Sequence, residues 1–86
     1  MTSIPIPRHQ WRYFRQTVGQ NIKTLRQARK MSIEELAEKI GHTPERVHAL
    51  EETCRTIRLY DLLHIAIALD IPPSAFMTGA WRSFKM

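Results

Sequence analysis

The chain has 86 residues and a mass of 10.1 kDa, the size of one small domain with one modest core. Hydrophobic residues make up 43% and charged residues 24%, which is ordinary for a globular protein and argues against disorder. The net charge is +5 and the sequence pI is about 10.0. This balance predicts an anionic partner, with nucleic acid favoured over a membrane surface.

Cys54 is the only cysteine, so an internal disulfide is excluded. The first seven residues lack the apolar stretch of a signal peptide. The longest apolar run, Ile65 to Leu69, is far shorter than the roughly 20 residues that a membrane-spanning helix needs. We therefore expect a soluble, cytoplasmic protein.

The N-terminal part reads as an extended arm followed by a helix. Pro5 and Pro7 keep the first residues extended. Apolar residues then recur at steps of three and four, as on one face of a helix: Trp11, Phe14, Val18, Ile22, Leu25 and Ala28. Gly19 leaves two interpretations open, one continuous helix or a break at the glycine. We divide the chain into a basic arm or helix extension (1–17), a domain (18–77) and a tail (78–86).

Start and stop signals predict further helices. Ser32 and Glu35 have the spacing of a capping box, and Gly41 is placed to end that helix in a left-handed turn. Thr43 and Pro44 open the next helix as N-cap and first helical residue.

Residues 52–58 then form a polar connection. The pattern from Leu59 to Leu69 predicts a helix with Leu59, Leu62, Ala66 and Leu69 on one face. Pro72 and Pro73 stop this helix, and a short helix follows to about residue 77.

Two short helices joined by residues 41–43 have the arrangement of a helix-turn-helix, whose second helix enters the DNA major groove. This motif needs a small residue where the helices cross, a residue that tolerates positive φ in the turn, and a β-branched residue that seats the second helix. Ala37, Gly41 and Val47 meet these demands in that order. Leu36 and Leu50 fill the space between the helices.

Residues 18–41 (VGQNIKTLRQARKMSIEELAEKIG), with Val47, Leu50, Glu51 and residues 62–69 (LLHIAIAL), resemble the phage-repressor and Cro-type helix-turn-helix family, also called the xenobiotic-response-element family. The resemblance covers about residues 18–77. It implies an all-α, five-helix repressor-like domain that binds a palindromic operator as a homodimer and regulates transcription. It also implies an ion pair between Arg26 and Glu51.

The resemblance places base-reading positions at Pro44, Glu45 and Ala49, with Arg46 and His48 nearby. Of these, Glu45 can accept a hydrogen bond from cytosine and Arg46 can donate to guanine. The expected phosphate-contacting residues are Arg26, Ser32, Thr43, Arg55 and Arg58. Two positions depart from the family pattern: Ile33 stands where glutamine is usual, and Thr53 where glycine is usual.

Charge is distributed unevenly along the chain. Residues 33–52 hold six acidic and two basic side chains, a net charge of −4, so the remainder carries +9. Phosphate attraction should therefore come from the flanks of the motif. The basic residues Arg8, Arg12 and Arg15 have two interpretations: a DNA-contacting arm, or the solvated face of a helix extension.

Enzyme chemistry is not expected, and neither is a metal or cofactor. The four histidines and Cys54 show no zinc-site spacing, and the chain has no glycine-rich phosphate loop.

A dimer patch is expected from Ile67, Met77, Trp81 and Phe84, the alternative being that they cap the core of their own chain. The second functional hypothesis is an antitoxin-like or co-regulator module that binds another protein through the acidic motif or the apolar tail.

Overall fold

The computed structural model describes residues 3–80, and this range contains four α-helices and one 3₁₀ helix. The α-helices are α1 Arg8–Ala28, α2 Ile33–Ile40, α3 Pro44–Glu52 and α4 Leu59–Leu69, and the 3₁₀ helix is Pro73–Met77. Residues 3–80 contain no strand, so the all-α prediction is confirmed. The expectation of five α-helices is wrong by one. The last element is a five-residue segment that winds as a 3₁₀ helix, the form that short helical pieces commonly take.

Helix α1 runs through Gly19 without a break, which decides between the two interpretations of that glycine. Gly19 is buried against the end of α3. A β-carbon at this position would lie 2.6 Å from the backbone oxygen of Glu51 and 2.8 Å from that of Leu50. Glycine at position 19 therefore lets α1 and α3 approach more closely than any other residue would.

The predicted caps of α2 and α3 are confirmed. The Ser32 hydroxyl accepts from the Glu35 amide at 3.0 Å, and the Glu35 carboxylate accepts from the Ser32 amide at 3.1 Å. Gly41 closes α2 with φ of 71°. The Thr43 hydroxyl accepts from the Arg46 amide at 3.1 Å, and Pro44 is the first residue of α3.

The core lies between α1 and the other helices: α1 packs against α3 and the 3₁₀ helix, and α2 packs against α3 and α4. Each large apolar side chain buried there contributes on the order of 1.5–3 kcal/mol relative to exposure. The buried residues are Val18, Ile22, Leu36, Ala37, Ile40, Val47, Leu50, Cys54, Leu62, Ile65, Ala66, Leu69, Phe76 and Ala80. At the ends of the α1 stripe, Trp11 and Ala28 are exposed, because α1 is longer than the core.

The predicted apolar face of α4 is buried except at its first residue. Leu59 is 83% exposed, whereas Asp61 and Ile65 are buried. Asp61 turns inward because its carboxylate accepts a hydrogen bond from the backbone amide of Arg58 and pairs with His42. The first turn of α4 therefore presents a carboxylate to the interior and leaves Leu59 in solvent.

Two polar side chains, one within α1 and one at its C-cap, attach this helix to the C-terminal elements. The Asn21 amide donates to the backbone oxygens of Phe76 at 2.8 Å and Thr78 at 2.7 Å. The Arg29 guanidinium donates to the backbone oxygens of Leu69 at 2.8 Å and Asp70 at 3.0 Å. Arg29 thus satisfies carbonyl groups at the end of α4 that have no partner within the helix.

The connection from α3 to α4 contains one buried residue. Cys54 has φ of 51° and is 3% exposed, whereas Thr53, which stands where the family usually has glycine, has φ of −122°. The left-handed conformation therefore falls one residue after Thr53. Burial raises the pKa of the Cys54 thiol to about 11, against the lowering effect of Arg15 and Arg46.

None of the helices within residues 3–80 is both long enough and apolar enough to cross a membrane.

Candidate nucleic-acid interface

Helices α2 and α3 and the turn between them form the helix-turn-helix. Gly41 begins the turn in the left-handed conformation, and the His42 amide donates to the Ala37 backbone oxygen at 2.9 Å. Val47 and Leu50 are each 1% exposed, so they fix one face of α3 against the core. The opposite face of α3 consequently points away from the domain.

Four of the five residues expected to contact bases are exposed on that face. These residues are Pro44, Glu45, His48 and Ala49. All four lie in the first six residues of α3, which is the part of a recognition helix that contacts base edges.

Arg46, the fifth of these residues, is directed elsewhere. Its guanidinium donates to the hydroxyl of Thr56 and, at 3.0 Å, to the Thr56 backbone oxygen. Its Nη2 also lies 3.6 Å from Oδ2 of Asp61. The side chain therefore lies along the α3–α4 connection, and contacting a base would require it to leave these acceptors.

Asp61 connects this arginine with the turn of the motif, and sequence reasoning missed it. Its carboxylate lies 3.2 Å from Nε2 of His42 and accepts from the Arg58 backbone amide at 3.2 Å. Burial raises the pKa of Asp61, but the bond from Arg58, the contact with His42 and the charge of Arg46 together lower it below its ordinary value. An aspartate at the third position of a predicted helix is a capping signal that could have identified the residue.

The family's ion pair is present and deeply buried. Nε of Arg26 lies 2.6 Å from Oε2 of Glu51, and Nη2 lies 3.1 Å from Oε1. Nη1 of the same arginine donates to the Met31 backbone oxygen at 2.7 Å. Arg26 is 6% exposed and all three of its nitrogens bind protein oxygens, so its guanidinium has almost no surface to offer a phosphate.

The other expected phosphate-contacting residues lie at the helix N-caps of the motif and in the connection that follows it. Ser32 and Thr43 are the N-caps of α2 and α3, and their hydroxyls, although they accept from the backbone, can still donate to an external oxygen. Arg55 and Arg58 are exposed in and after the α3–α4 connection. Ile33 at the start of α2 is partly buried against the core.

The basic N-terminal residues belong to α1 from Arg8 onward, while residues 3–7 are non-helical and exposed. The rings of Trp11 and Phe14 stack with centroids 6.0 Å apart. The Arg15 guanidinium lies 5.8 Å from the centroid of the Trp11 ring, a cation–π distance. Residues 8–17 are therefore a helical extension of the domain, and contact of their arginines with DNA stays a prediction.

The residues expected to form a dimer patch divide into two places. Ile67 is 68% exposed and lines a shallow apolar depression on α4 together with Tyr60, Leu63 and His64. Met77 is 38% exposed and lines a different cavity, together with Trp11 and Val18. Trp81 and Phe84 lie outside the described residues.

Comparison with known proteins agrees with this geometry. A family profile described as a helix-turn-helix domain matches residues 19–81. No curated protein gives a significant sequence match.

Solved structures of three regulators are similar to this chain. The restriction-modification controller protein C.AhdI from Aeromonas hydrophila is 34% identical with a TM-score of 0.67, over 71% of this chain and 92% of that one. The clp gene regulator ClgR from C. glutamicum is 20% identical with a TM-score of 0.74, over 85% and 95%.

A point mutant of the restriction-modification controller protein C.Esp1396I is 21% identical with a TM-score of 0.73, over 83% of this chain and 95% of that one. The profile match spans most of the chain, and the identity to C.AhdI extends over nearly all of that protein. The chain therefore belongs to the helix-turn-helix domain family, of the phage-repressor and Cro kind.

Proposed function

We propose that the protein binds double-stranded DNA sequence-specifically, as a homodimer on a palindromic operator, and represses transcription. The observation that carries this proposal is the outward face of α3, which is seated on the core by Val47 and Leu50 and leaves its first turns exposed. A helix held in this way inserts its N-terminal residues into the major groove.

Base recognition falls first to the exposed residues of α3. Glu45 accepts from cytosine N4, His48 is a hydrogen-bonding side chain on the same face, and Pro44 and Ala49 offer apolar contact to a thymine methyl group. Arg46 donates to guanine when it is released from Thr56 and Asp61.

Phosphate contacts come from the margins of the motif, because residues 33–52 carry a net charge of −4. Ser32, Thr43, Arg55 and Arg58 supply hydroxyl and guanidinium donors there. Such contacts set affinity and register on the duplex, while α3 reads the sequence. The buried Arg26 contributes by holding α1 to the end of α3.

Dimerisation is assigned to the exposed face of α4. Leu59, Tyr60, Leu63 and Ile67 are large hydrophobic side chains that a monomer leaves in water. An exposed apolar patch of this kind is typical of a protein interface. The second hypothesis places a partner protein on the acidic motif or the apolar tail, and this patch is a further surface that such a partner can occupy.

A regulatory role is supported by the similar proteins, since C.AhdI is a restriction-modification controller and ClgR is a clp gene regulator. Repression follows from steric exclusion, because a dimer that covers an operator keeps other proteins from the same DNA. Such a protein acts in the cytoplasm, where its operator is accessible.

Selection from a random duplex pool at fixed, near-physiological salt tests this proposal. We expect a palindromic consensus with half-sites about 10–10.5 bp apart, or a multiple of that spacing. The variant His48→Ala should relax the consensus, and Gln27→Ala, an exposed change on α1, should leave it intact.

Retention without a consensus, lost steeply as salt rises, would show phosphate binding alone and contradict sequence recognition. Absence of retention would favour the protein-binding hypothesis.

A further inference from the structure

A cationic groove lies outside the α3 reading face, between the first half of α1 and the α3–α4 connection. It encloses a volume of about 340 Å³. Its lining residues are Arg12, Arg15, Gln16, Thr53 and Arg55. Three of these side chains are cationic and the other two are neutral hydrogen-bonding groups. Glu52, although adjacent to Thr53 in sequence, does not line the groove.

The arginines of this groove lack the protein oxygens that Arg26, Arg29 and Arg46 bind. Arg26, Arg29 and Arg46 each donate to protein oxygens. Within residues 3–80, the side chains of Arg12 and Arg55 make no hydrogen bond or ion pair.

The Arg15 guanidinium lies beside the Trp11 ring, and its Nε is buried without an acceptor among residues 3–80. A buried donor without an acceptor destabilises a protein, and so does a cluster of uncompensated charges.

From this we infer that the groove is a binding site for one phosphate-type oxyanion, held by Arg12, Arg15 and Arg55. Guanidinium groups bind phosphate through short charge-assisted hydrogen bonds, and the Gln16 amide adds a neutral donor. The Thr53 hydroxyl already donates to the Ala49 backbone oxygen at 3.0 Å, so Thr53 only lines the groove. The volume is sufficient, since a phosphate group displaces only a few water molecules of about 30 Å³ each. The anion supplies the negative charge that the described residues do not place in the groove.

Two sources can deliver this oxyanion. Thr53 is the C-cap of α3, so a phosphodiester of bound DNA lies within reach if the duplex extends past the end of that helix. In that case the inference rests on the proposed DNA-binding function. The other source is a phosphate-bearing small molecule, which would occupy the groove whether or not DNA is bound.

Titration with inorganic phosphate tests the site without DNA. The probe is the full chain, monitored by NMR of the arginine Nε–H groups, with chloride at matched ionic strength as the reference. We expect saturable shifts at Arg15 and its groove partners with phosphate only. Arg15→Gln should weaken the affinity about tenfold or more, and Lys39→Gln, the same charge change on exposed α2, should not.

Shifts that chloride reproduces, or that Arg15→Gln leaves unchanged, would overturn the inference. Far-UV circular dichroism of each variant separates lost binding from lost folding, and Arg55→Gln in the exposed connection provides a second variant. It removes a groove guanidinium without touching α1.

A second experiment identifies the source. If the oxyanion is a DNA phosphate, the variant with both Arg12→Gln and Arg15→Gln should reduce the slope of log affinity against log salt by about 1 relative to Lys39→Gln. If it is a small molecule, the slope stays the same and phosphate still titrates the DNA complex. If the unmodified chain does not bind DNA, the proposed function is refuted. The phosphate titration then still tests whether the groove binds an oxyanion.

Discussion

Gly19 of α1 lies directly against the backbone of Glu51, so that a β-carbon at position 19 would be 2.6 Å from the Glu51 oxygen. The same Glu51 holds the buried guanidinium of Arg26 through its side chain. One residue at the end of α3 therefore sets both the distance and the pairing between α1 and the helix-turn-helix. Changes at this junction should affect stability before they affect DNA contacts.

Replacing Gly19 with alanine should destabilise the protein, although alanine is favoured by about 1 kcal/mol inside a helix. The added methyl group meets backbone atoms, which cannot move aside as a side chain would, and overpacking of this kind costs about 1–3 kcal/mol. Urea unfolding followed by circular dichroism measures the change. The exposed Gln20→Ala is the control, and a Gly19→Ala protein as stable as the control would contradict the close approach.

Removing either partner of the Arg26–Glu51 pair should cost about 3–5 kcal/mol, because the remaining charge stays buried without compensation. We expect Arg26→Met and Glu51→Leu each to be strongly destabilising and their combination to be much less destabilising than the sum. Unfolding free energies from a double-mutant cycle check this. Strict additivity would mean that the two side chains are not coupled.

The buried carboxylate of Asp61 should make the free energy of unfolding decrease at low pH. Its pKa lies below the ordinary aspartate value of about 3.9, so it stabilises the fold fully above that pH. This contribution is lost as the pH falls through the lowered pKa of the folded state.

The difference in unfolding free energy between the unmodified protein and Asp61→Asn should therefore narrow from pH 6 to pH 2.5. The exposed Glu38→Gln serves as the control. A difference independent of pH would rule out this role of Asp61.

Cys54 should be inert toward thiol reagents while the protein is folded. With its pKa raised to about 11, about one thiol in a thousand is ionised at pH 8, and the side chain is 3% exposed. We expect a disulfide reagent to react at least about a hundredfold more slowly than with the protein in urea. Glu52→Cys combined with Cys54→Ala places the thiol in solvent and should react rapidly. Rapid labelling of the native protein would show that Cys54 is accessible.

Ile67→Glu should dissociate the proposed dimer without unfolding the monomer, because the side chain is 68% exposed. A carboxylate buried at an interface without a partner is unfavourable, so the dissociation constant should rise about tenfold or more. Sedimentation equilibrium measures the change, with the exposed Gln27→Glu as a charge-matched control. A variant that dimerises as well as the control would exclude this face of α4 from the interface.

The caps of α2 and α3 could be predicted from the sequence because each joins residues at most three or four positions apart. Ser32 with Glu35, Gly41, and Thr43 with Pro44 follow from local hydrogen-bond geometry, which does not depend on the rest of the chain. The periodic apolar residues in turn determined which elements are helical. Together these signals were sufficient to predict the helix-turn-helix from the sequence.

Contacts between distant parts of the chain could not be predicted in the same way. In the sequence, Gly19 is only a residue that disfavours a helix. The close approach of α3, seen in the tertiary structure, is what requires glycine at this position. Leu59 fits the apolar pattern of α4, yet Asp61 takes the inward position because His42 and Arg46 lie opposite it. Similarly, Arg46 stands at a recognition position in the sequence, and the packing of the α3–α4 connection turns its guanidinium toward Thr56. Helix boundaries thus depend on residues that are close in sequence. The direction and burial of a side chain depend on which residues from other helices and loops the fold brings against it.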